Sequence, residues 1–200
     1  MCLLDAVPDS PNDMKTRFAL CLAALVAAGF GSRSIAADPA VPPKPGPEHA
    51  KLERYVGRWK FDEVSVATPF GPAGKATYRS IAKWAHGGFF VEEKGTGESP
   101  LGPYSWTLVT GYNPEKRAFT TFLYDSVGSV GGGSLTVEGN VTTGTWEQPG
   151  MAGDGKVYRC KSVMVWAADG KSAKYTWTYS EDGITWKPWL EGTGKKSGGK

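Results

Sequence analysis

"HAKLERYVGRWKF", residues 49–61, is the stretch in which a helical sequence pattern gives way to a strand-like one. Pro47 suits the first turn of a helix, and Gly57 suits its end. Between them, three apolar residues at the spacing i, i+3, i+4 form one stripe: Leu52, Tyr55 and Val56. The sequence therefore predicts a helix of roughly nine residues, which is too short to be stable unless it packs on a larger domain.

After Gly57 the apolar period becomes two, and turn residues recur at regular intervals. About ten strands are predicted, near residues 58–66, 75–84, 88–96, 104–112, 117–124, 133–138, 141–147, 156–166, 173–180 and 184–191. Tight turns such as Gly139-Asn140 join consecutive strands, which indicates an antiparallel meander. So many strands need closure to remove their edges, so we predict an all-β fold, an antiparallel β-barrel with one short N-terminal helix.

Residues 1–36 have the pattern of a signal peptide region. Met14 begins a basic segment, an apolar run over 18–31 follows it, and small residues place cleavage after Ala36 or Ala37. The apolar run is too short for a stable membrane span, although an N-terminal anchor is the alternative interpretation. We therefore expect a true start at Met14 and an exported protein, periplasmic or secreted.

The rest of the chain divides into three parts by composition. Residues 37–47 are rich in proline and are predicted to be an extended linker, 48–194 are the barrel domain, and 195–200 are a disordered basic tail. The net charge of +3 is scattered, which argues against a nucleic-acid surface. Cys160 would be the only cysteine after cleavage, so we expect a packed thiol and no disulfide.

Five segments occur in a characteristic order: "PKPGPEHAKLERYVGRW", "AHGGFFVEE", "TGYNPEKRAF", "LYDSVGS" and "WTYSEDG". Together they resemble the DUF1579 family of uncharacterised bacterial proteins over most of residues 43–196. The resemblance implies a calycin-like β-barrel of the broad lipocalin and fatty-acid-binding type, and it brings no established activity. The chain departs from the family pattern over residues 85–90, where an expected Arg is missing and His86 stands beside the strand.

Gly57-Arg58-Trp59 is also similar to the Gly-x-Trp motif of lipocalins, in which a Trp after a short helix packs across one barrel end. A large flat side chain can close an opening that smaller groups leave wet, so Trp59 is predicted to close the barrel rather than to contact a ligand. The lipocalin pattern pairs this Trp with a late-strand Arg. This chain has no Arg after Arg159, so that partner is missing or replaced.

Aromatic side chains alternate along several predicted strands, which is more aromatic surface than a thin sheet needs. We therefore predict that the lumen binds a small apolar or aromatic molecule. The candidate ligand-binding residues are Trp84, Trp106, Tyr124, Asp125, Trp166 and Trp177. Asp125 would anchor a polar part of the ligand at the barrel mouth, although Asp-Ser before Val-Gly is also ordinary turn chemistry.

Other functions stay open at this level. A haem protein would use His86 as an axial ligand, although a turn histidine is the simpler interpretation. An enzyme would use Asp125 or an inward member of the Glu92-Glu93 pair as acid or base, but no nucleophile motif supports it, and the sequence favours a binding protein. A filled barrel could instead serve a structural or partner-binding role, and a homodimer is compatible with any of these functions.

Metal binding is not expected. His49, His86 and Cys160 are the only histidine and cysteine residues after cleavage, and they are widely separated in sequence. A structural zinc site usually takes four such ligands, so no metal site and no cofactor are predicted.

Overall fold

A computed structural model describes residues 43–149 and 152–198. The predicted signal region with its start at Met14, the cleavage site after Ala36 or Ala37 and linker residues 37–42 lie outside the described residues, and these features stay predictions. Within the described part of the chain, no helix is both long enough and apolar enough to cross a membrane.

The predicted fold is confirmed: ten antiparallel strands close into a barrel, and one short helical segment precedes them. The helical segment is an α-helix, α1 (Pro47–Ala50), that tightens into a 3-10 helix, Lys51–Tyr55. The strands are β1 (Gly57–Ser65), β2 (Gly74–Ala85), β3 (Phe90–Ser99), β4 (Gly102–Asn113), β5 (Ala118–Asp125), β6 (Val130–Glu138), β7 (Val141–Pro149), β8 (Val157–Trp166), β9 (Ser172–Ser180) and β10 (Lys187–Lys196). Each strand pairs with the next, and β10 closes the barrel on β1.

The helical segment crosses one end of the barrel, which we call the helix-covered end. On one side, the His49 ring lies 5.2 Å from the ring of Phe89, just before β3. On the other side, the Arg54 guanidinium donates two hydrogen bonds of 3.1 Å to the Gly139 carbonyl in the β6–β7 turn. Leu52 lies between these anchors and is completely buried. The predicted apolar stripe therefore faces the barrel, and docking stabilises a segment too short to fold alone.

Most strand bounds agree with the expected ones to within three residues, and two differences fall on glycine-rich stretches. The strand expected over 133–138 begins earlier, because β6 runs from Val130 to Glu138 through the glycines at 131–133. The last strand was expected over 184–191, but β10 runs from Lys187 to Lys196 and includes the start of the expected tail. Glycines normally indicate a loop, but Gly133, Gly192 and Gly194 lie in strands, where backbone or ring atoms of neighbouring strands occupy the space that a Cβ would fill.

Inward-facing glycines lie directly opposite inward-facing aromatic residues on neighbouring strands. The pairs are Gly95 with Trp106, Gly97 with Tyr78, Gly192 with Tyr175 and Gly194 with Phe61. A Cβ at any of these glycines would overlap its partner's aromatic ring. The rings therefore lie flat against the barrel wall, which leaves space along the barrel axis.

We expect Gly95→Ala to destabilise the protein by about 1–3 kcal/mol, because the added methyl would displace the Trp106 ring. Gly132→Ala is the matched control, since Gly132 is also a strand glycine and a Cβ there meets nothing closer than the Thr121 carbonyl oxygen at 3.5 Å. That control should be neutral or slightly stabilising. Urea unfolding measures both changes, and equal effects of the two substitutions would contradict the packing described above.

Candidate binding cavity in the barrel lumen

The barrel lumen contains a cavity of about 490 Å³. Its walls are mainly aromatic, and the rings come from the helical segment, from most strands and from the β1–β2 connection. The lining aromatic residues are Tyr55, Trp59, Phe61, Phe70, Tyr78, Tyr104, Trp106, Trp146, Trp166, Tyr175, Trp177 and Trp189.

Trp59 lies at the helix-covered end, is almost completely buried and lines the cavity, and its role in closing the barrel stays a prediction. Its indole N–H donates a 2.7 Å hydrogen bond to the Tyr55 carbonyl, which joins the barrel wall to the helical segment. The Lys196 ammonium lies 5.3 Å from the centre of the Trp59 ring. A lysine on the last strand thus makes a cation–π contact with this Trp.

The cavity reaches the surface at the opposite end, which we call the open end. Three exposed apolar side chains at that end also line the cavity: Val66, Leu101 and Val127. Phe70, in the β1–β2 connection, packs against Tyr158 with ring centres 4.8 Å apart and so holds that connection at the rim. A molecule entering the cavity would therefore pass an apolar rim before it reaches the aromatic walls.

Two carboxyl groups project into the cavity from one side of the barrel, Glu63 on β1 and Glu93 on β3. The Tyr175 hydroxyl lies over Gly192 and donates a 2.7 Å hydrogen bond to Glu63 Oε1. Burial raises the pKa of the Glu63 carboxyl, and the Tyr175 hydrogen bond opposes part of that shift. Burial likewise raises the pKa of the Glu93 carboxyl, partly opposed by the nearby Ser80 hydroxyl.

Two tyrosines near Glu63 also have raised pKa values. Burial, followed by the charge of Glu63, raises the pKa of Tyr78 to about 12. Burial raises the pKa of Tyr175 further, and the charge and hydrogen bond of Glu63 add to that effect. These phenols therefore stay protonated at neutral pH and act as hydrogen-bond donors or acceptors in the cavity wall.

A third inward carboxylate, Asp125, organises the open end. Its Oδ1 accepts backbone hydrogen bonds from Val127 at 3.1 Å and from Ser129 at 2.9 Å. Its Oδ2 accepts a 2.9 Å hydrogen bond from the Tyr104 hydroxyl. Both oxygens are thus already engaged by the protein, and the turn role considered from the sequence accounts for these contacts.

Four of the six candidate ligand-binding residues line the cavity: Trp106, Asp125, Trp166 and Trp177. Trp84 and Tyr124 do not. Trp84 lies at the helix-covered end, is 36% exposed, and donates a 2.8 Å hydrogen bond to Glu53. Tyr124 is 46% exposed on the outer face, because its neighbour Asp125 faces inward and side chains alternate along a strand. Ligand binding by the four lining residues stays a prediction.

The histidines lie away from the cavity lining. His86 is exposed in a tight turn with φ of 48°, and its ring packs against Phe90 at 5.8 Å. The His49 ring accepts a 3.0 Å hydrogen bond from the Gly46 backbone N–H. This placement does not support a haem held by His86 inside the barrel. Among the described residues, no group of three or more potential metal ligands comes together.

Cys160 is completely buried on β8, and burial raises the pKa of its thiol to about 12. A thiol in this environment stays protonated and unreactive at neutral pH. The residue therefore behaves as a small packed side chain, as the strand pattern of the sequence indicates.

Sequence reasoning singled out Glu93 only as one member of a pair, and it missed Glu63 and Tyr175 as site residues. The signal for Glu63 was present, because strict alternation from Trp59 through Phe61 places Glu63 on the inner face. Tyr175 offered no local signal for its role. Its contact with Glu63 depends on the pairing of β9 with β10 and of β10 with β1.

The raised pKa values predict a loss of stability at higher pH. The folded state retains protons on Glu63 and Glu93 that the unfolded chain releases above the ordinary value of 4.5. The free energy of unfolding should therefore fall as pH rises above that value. Asp154, Glu181 and Asp182 have lowered pKa values, so their stabilising contributions are already complete in this range.

Glu93→Gln tests this prediction, with Glu92→Gln as its control. Glu92 is adjacent in sequence but pairs with Lys94 on the outer surface at 2.8 Å. Urea unfolding across the pH range should show a shallower decline for Glu93→Gln and an unchanged decline for Glu92→Gln. An equally steep decline in the Glu93 variant would show that this carboxyl is not desolvated.

Comparison with known proteins agrees with the architecture. A search of curated proteins found no match. Among solved structures, the chain is similar to the crystal structure of Rv2717c from M. tuberculosis, with a TM-score of 0.55 and 15% sequence identity. That match covers 76% of this chain and 99% of the other, and at this identity it shows the fold alone. The family model described as "Protein of unknown function (DUF1579)" matches residues 44–196, and the chain therefore belongs to the DUF1579 family.

Proposed function

We propose that this protein binds a small apolar or aromatic molecule in its barrel lumen. The observation that carries the proposal is the cavity of about 490 Å³, which is connected to the surface at the open end. Ligand pockets in proteins start at roughly 300 Å³. A filled barrel with a purely structural role would not need to leave this volume empty.

The chemistry of the lining favours a ligand with a flat or apolar body. Trp106, Trp146 and Trp177 present indole surfaces to the cavity, and apolar side chains such as Leu108 and Met164 fill the spaces between rings. Aromatic walls bind apolar and aromatic ligands by burying large areas and by ring–ring contact. The apolar rim at the open end supports the same class of ligand, because it offers a path with little polar surface to desolvate.

A cavity-filling variant tests this proposal. Ala76 lies on the inner face of β2 and lines the cavity, whereas its neighbour Thr77 faces outward and is exposed. Ala76→Phe should weaken binding of 1-naphthalenemethanol by about tenfold or more, since the new ring takes the ligand's space. Thr77→Phe adds the same ring outside the barrel and should leave the affinity unchanged. Quenching of tryptophan fluorescence and isothermal titration calorimetry measure both affinities.

Native mass spectrometry of the protein purified from its own cells provides a second test. We expect a bound species that adds a few hundred daltons to the protein mass and is lost in the Ala76→Phe variant. The protein mass in the same spectrum also reports the first residue, which is Ala37 or Asp38 if the chain is exported and cleaved as proposed. A ligand-free mass together with no binding of 1-naphthalenemethanol would reject the binding function.

A further inference from the structure

The charged side chains that line the cavity all have the same sign. The three charged side chains that line it are Glu63, Glu93 and Asp125, and no Lys, Arg or His from the described residues joins them. We propose that the ligand carries a protonated amine, which binds at one of the inward glutamates, Glu63 or Glu93, while its aromatic or apolar body lies among the rings. This inference rests on the proposed binding function and specifies the chemical class of the ligand.

Glu63 and Glu93, rather than Asp125, have capacity left for a ligand. Asp125 already accepts three hydrogen bonds from the protein. Glu63 accepts one, from the Tyr175 hydroxyl, and a carboxylate can accept about four. The strand register places Glu63 opposite Ala76 and Glu93 opposite Ala82 on β2, so one ammonium group binds at one of the two carboxylates. Its three N–H donors can bond to that carboxylate and to a neighbouring acceptor.

A buried hydroxyl beside Glu93 also lacks a partner. Ser80 is 4% exposed, lies on the inner face of β2, and pairs across the sheet with Trp59 and Gly95. Its Oγ has no hydrogen-bond partner in the described part of the chain. It lies near the Glu93 carboxyl, but not in hydrogen-bond geometry with it. Buried polar atoms are nearly always paired, so the Ser80 hydroxyl is an unusual unsatisfied group beside the Glu93 carboxyl.

A second buried polar group that has no hydrogen-bond partner within the described chain lies on the opposite wall. Trp146 is 6% exposed and lines the cavity, and its indole N–H has no partner among the described residues. It projects from β7, which is five strands away from β2 in either direction around the barrel. That N–H packs against Gly144 and is not exposed to the cavity, so Trp146 presents its ring rather than its N–H to a ligand.

The surrounding rings favour a cation in this position. Tyr78 and Tyr175 lie close enough to Glu63 for its charge to raise the pKa of each phenol. The faces of aromatic rings attract cations, most strongly where water is excluded. A bound ammonium would also compensate the charge of the desolvated carboxylate that it contacts.

A matched set of probes tests this inference on the unmodified protein. The probes are 1-naphthylmethylamine, 1-naphthalenemethanol and 1-naphthoic acid, which share one ring system and differ in charge. Isothermal titration calorimetry at neutral pH should give a dissociation constant about tenfold or more lower for the amine than for the alcohol, with the acid weakest. An alcohol or acid that binds as tightly as the amine would overturn the inference and leave the binding function intact.

Substitutions of single carboxylates then identify which one binds the ammonium group. One of the two variants Glu63→Gln and Glu93→Gln, the one that removes the carboxylate holding the ammonium, should weaken amine binding by about tenfold and leave alcohol binding unchanged. Unchanged amine binding in both variants would contradict the inference. The controls are Asp62→Asn and Glu92→Gln, which alter outward carboxylates next to each site and should change neither affinity. Equal loss of amine and alcohol binding in the site variants would contradict a charge-specific role. If none of the three probes binds the unmodified protein, both the inference and the proposed function fail.

Discussion

The close packing of aromatic rings on inward-facing glycines is the constraint on which this barrel depends. A ten-stranded barrel encloses a wide interior, which bulky side chains standing upright would fill. Where a glycine lies opposite an aromatic residue, the ring can lie flat against the wall, and the axis of the barrel stays open. The pair of Gly192 and Tyr175 shows the consequence most clearly, since the flattened ring crosses β10 and its hydroxyl reaches Glu63 on β1. Packing and polar organisation of the cavity thus have a common cause.

The two ends of the barrel are organised by different contacts. At the helix-covered end, the hydrogen bond from Trp59 to the Tyr55 carbonyl attaches a short helical segment that could not fold alone. At the open end, Asp125 orders its turn through hydrogen bonds to backbone amides and a tyrosine, and the mouth stays accessible. One end is therefore built as a lid of aromatic and apolar groups, and the other as an ordered rim.

Much of the fold could be predicted from the sequence, because strand alternation and turn residues are local signals. The helix-to-strand change at Gly57 and the approximate number of strands both follow from such patterns. The errors have one physical origin. At Gly133 in β6 and at Gly192 and Gly194 in β10, glycines that normally indicate a loop are strand residues whose missing Cβ makes room for a ring from another strand. That requirement comes from non-local pairing, which a single sequence does not display.

The candidate site was only partly predictable for the same reason. Alternation was sufficient to place Trp106 and Asp125 on the inner face, and applied consistently it would have rejected Tyr124 and found Glu63. Alternation does not show whether a residue lies in the middle of a strand or at its end. Trp84 was therefore a candidate, although it lies near the end of β2 and bonds to Glu53 outside the cavity. The orphaned polar atoms of Ser80 and Trp146 are invisible in sequence, since they are defined by partners that are absent in three dimensions.

A crystal structure of the protein soaked with 1-naphthylmethylamine tests the central claim most directly, because it shows whether the lumen is open and which wall receives the charge. The account predicts the naphthalene ring among the cavity aromatics and its nitrogen within hydrogen-bond distance of Glu63 or Glu93. A lumen filled by the protein's own side chains, or an amine bound with its nitrogen directed away from both carboxylates, would contradict it.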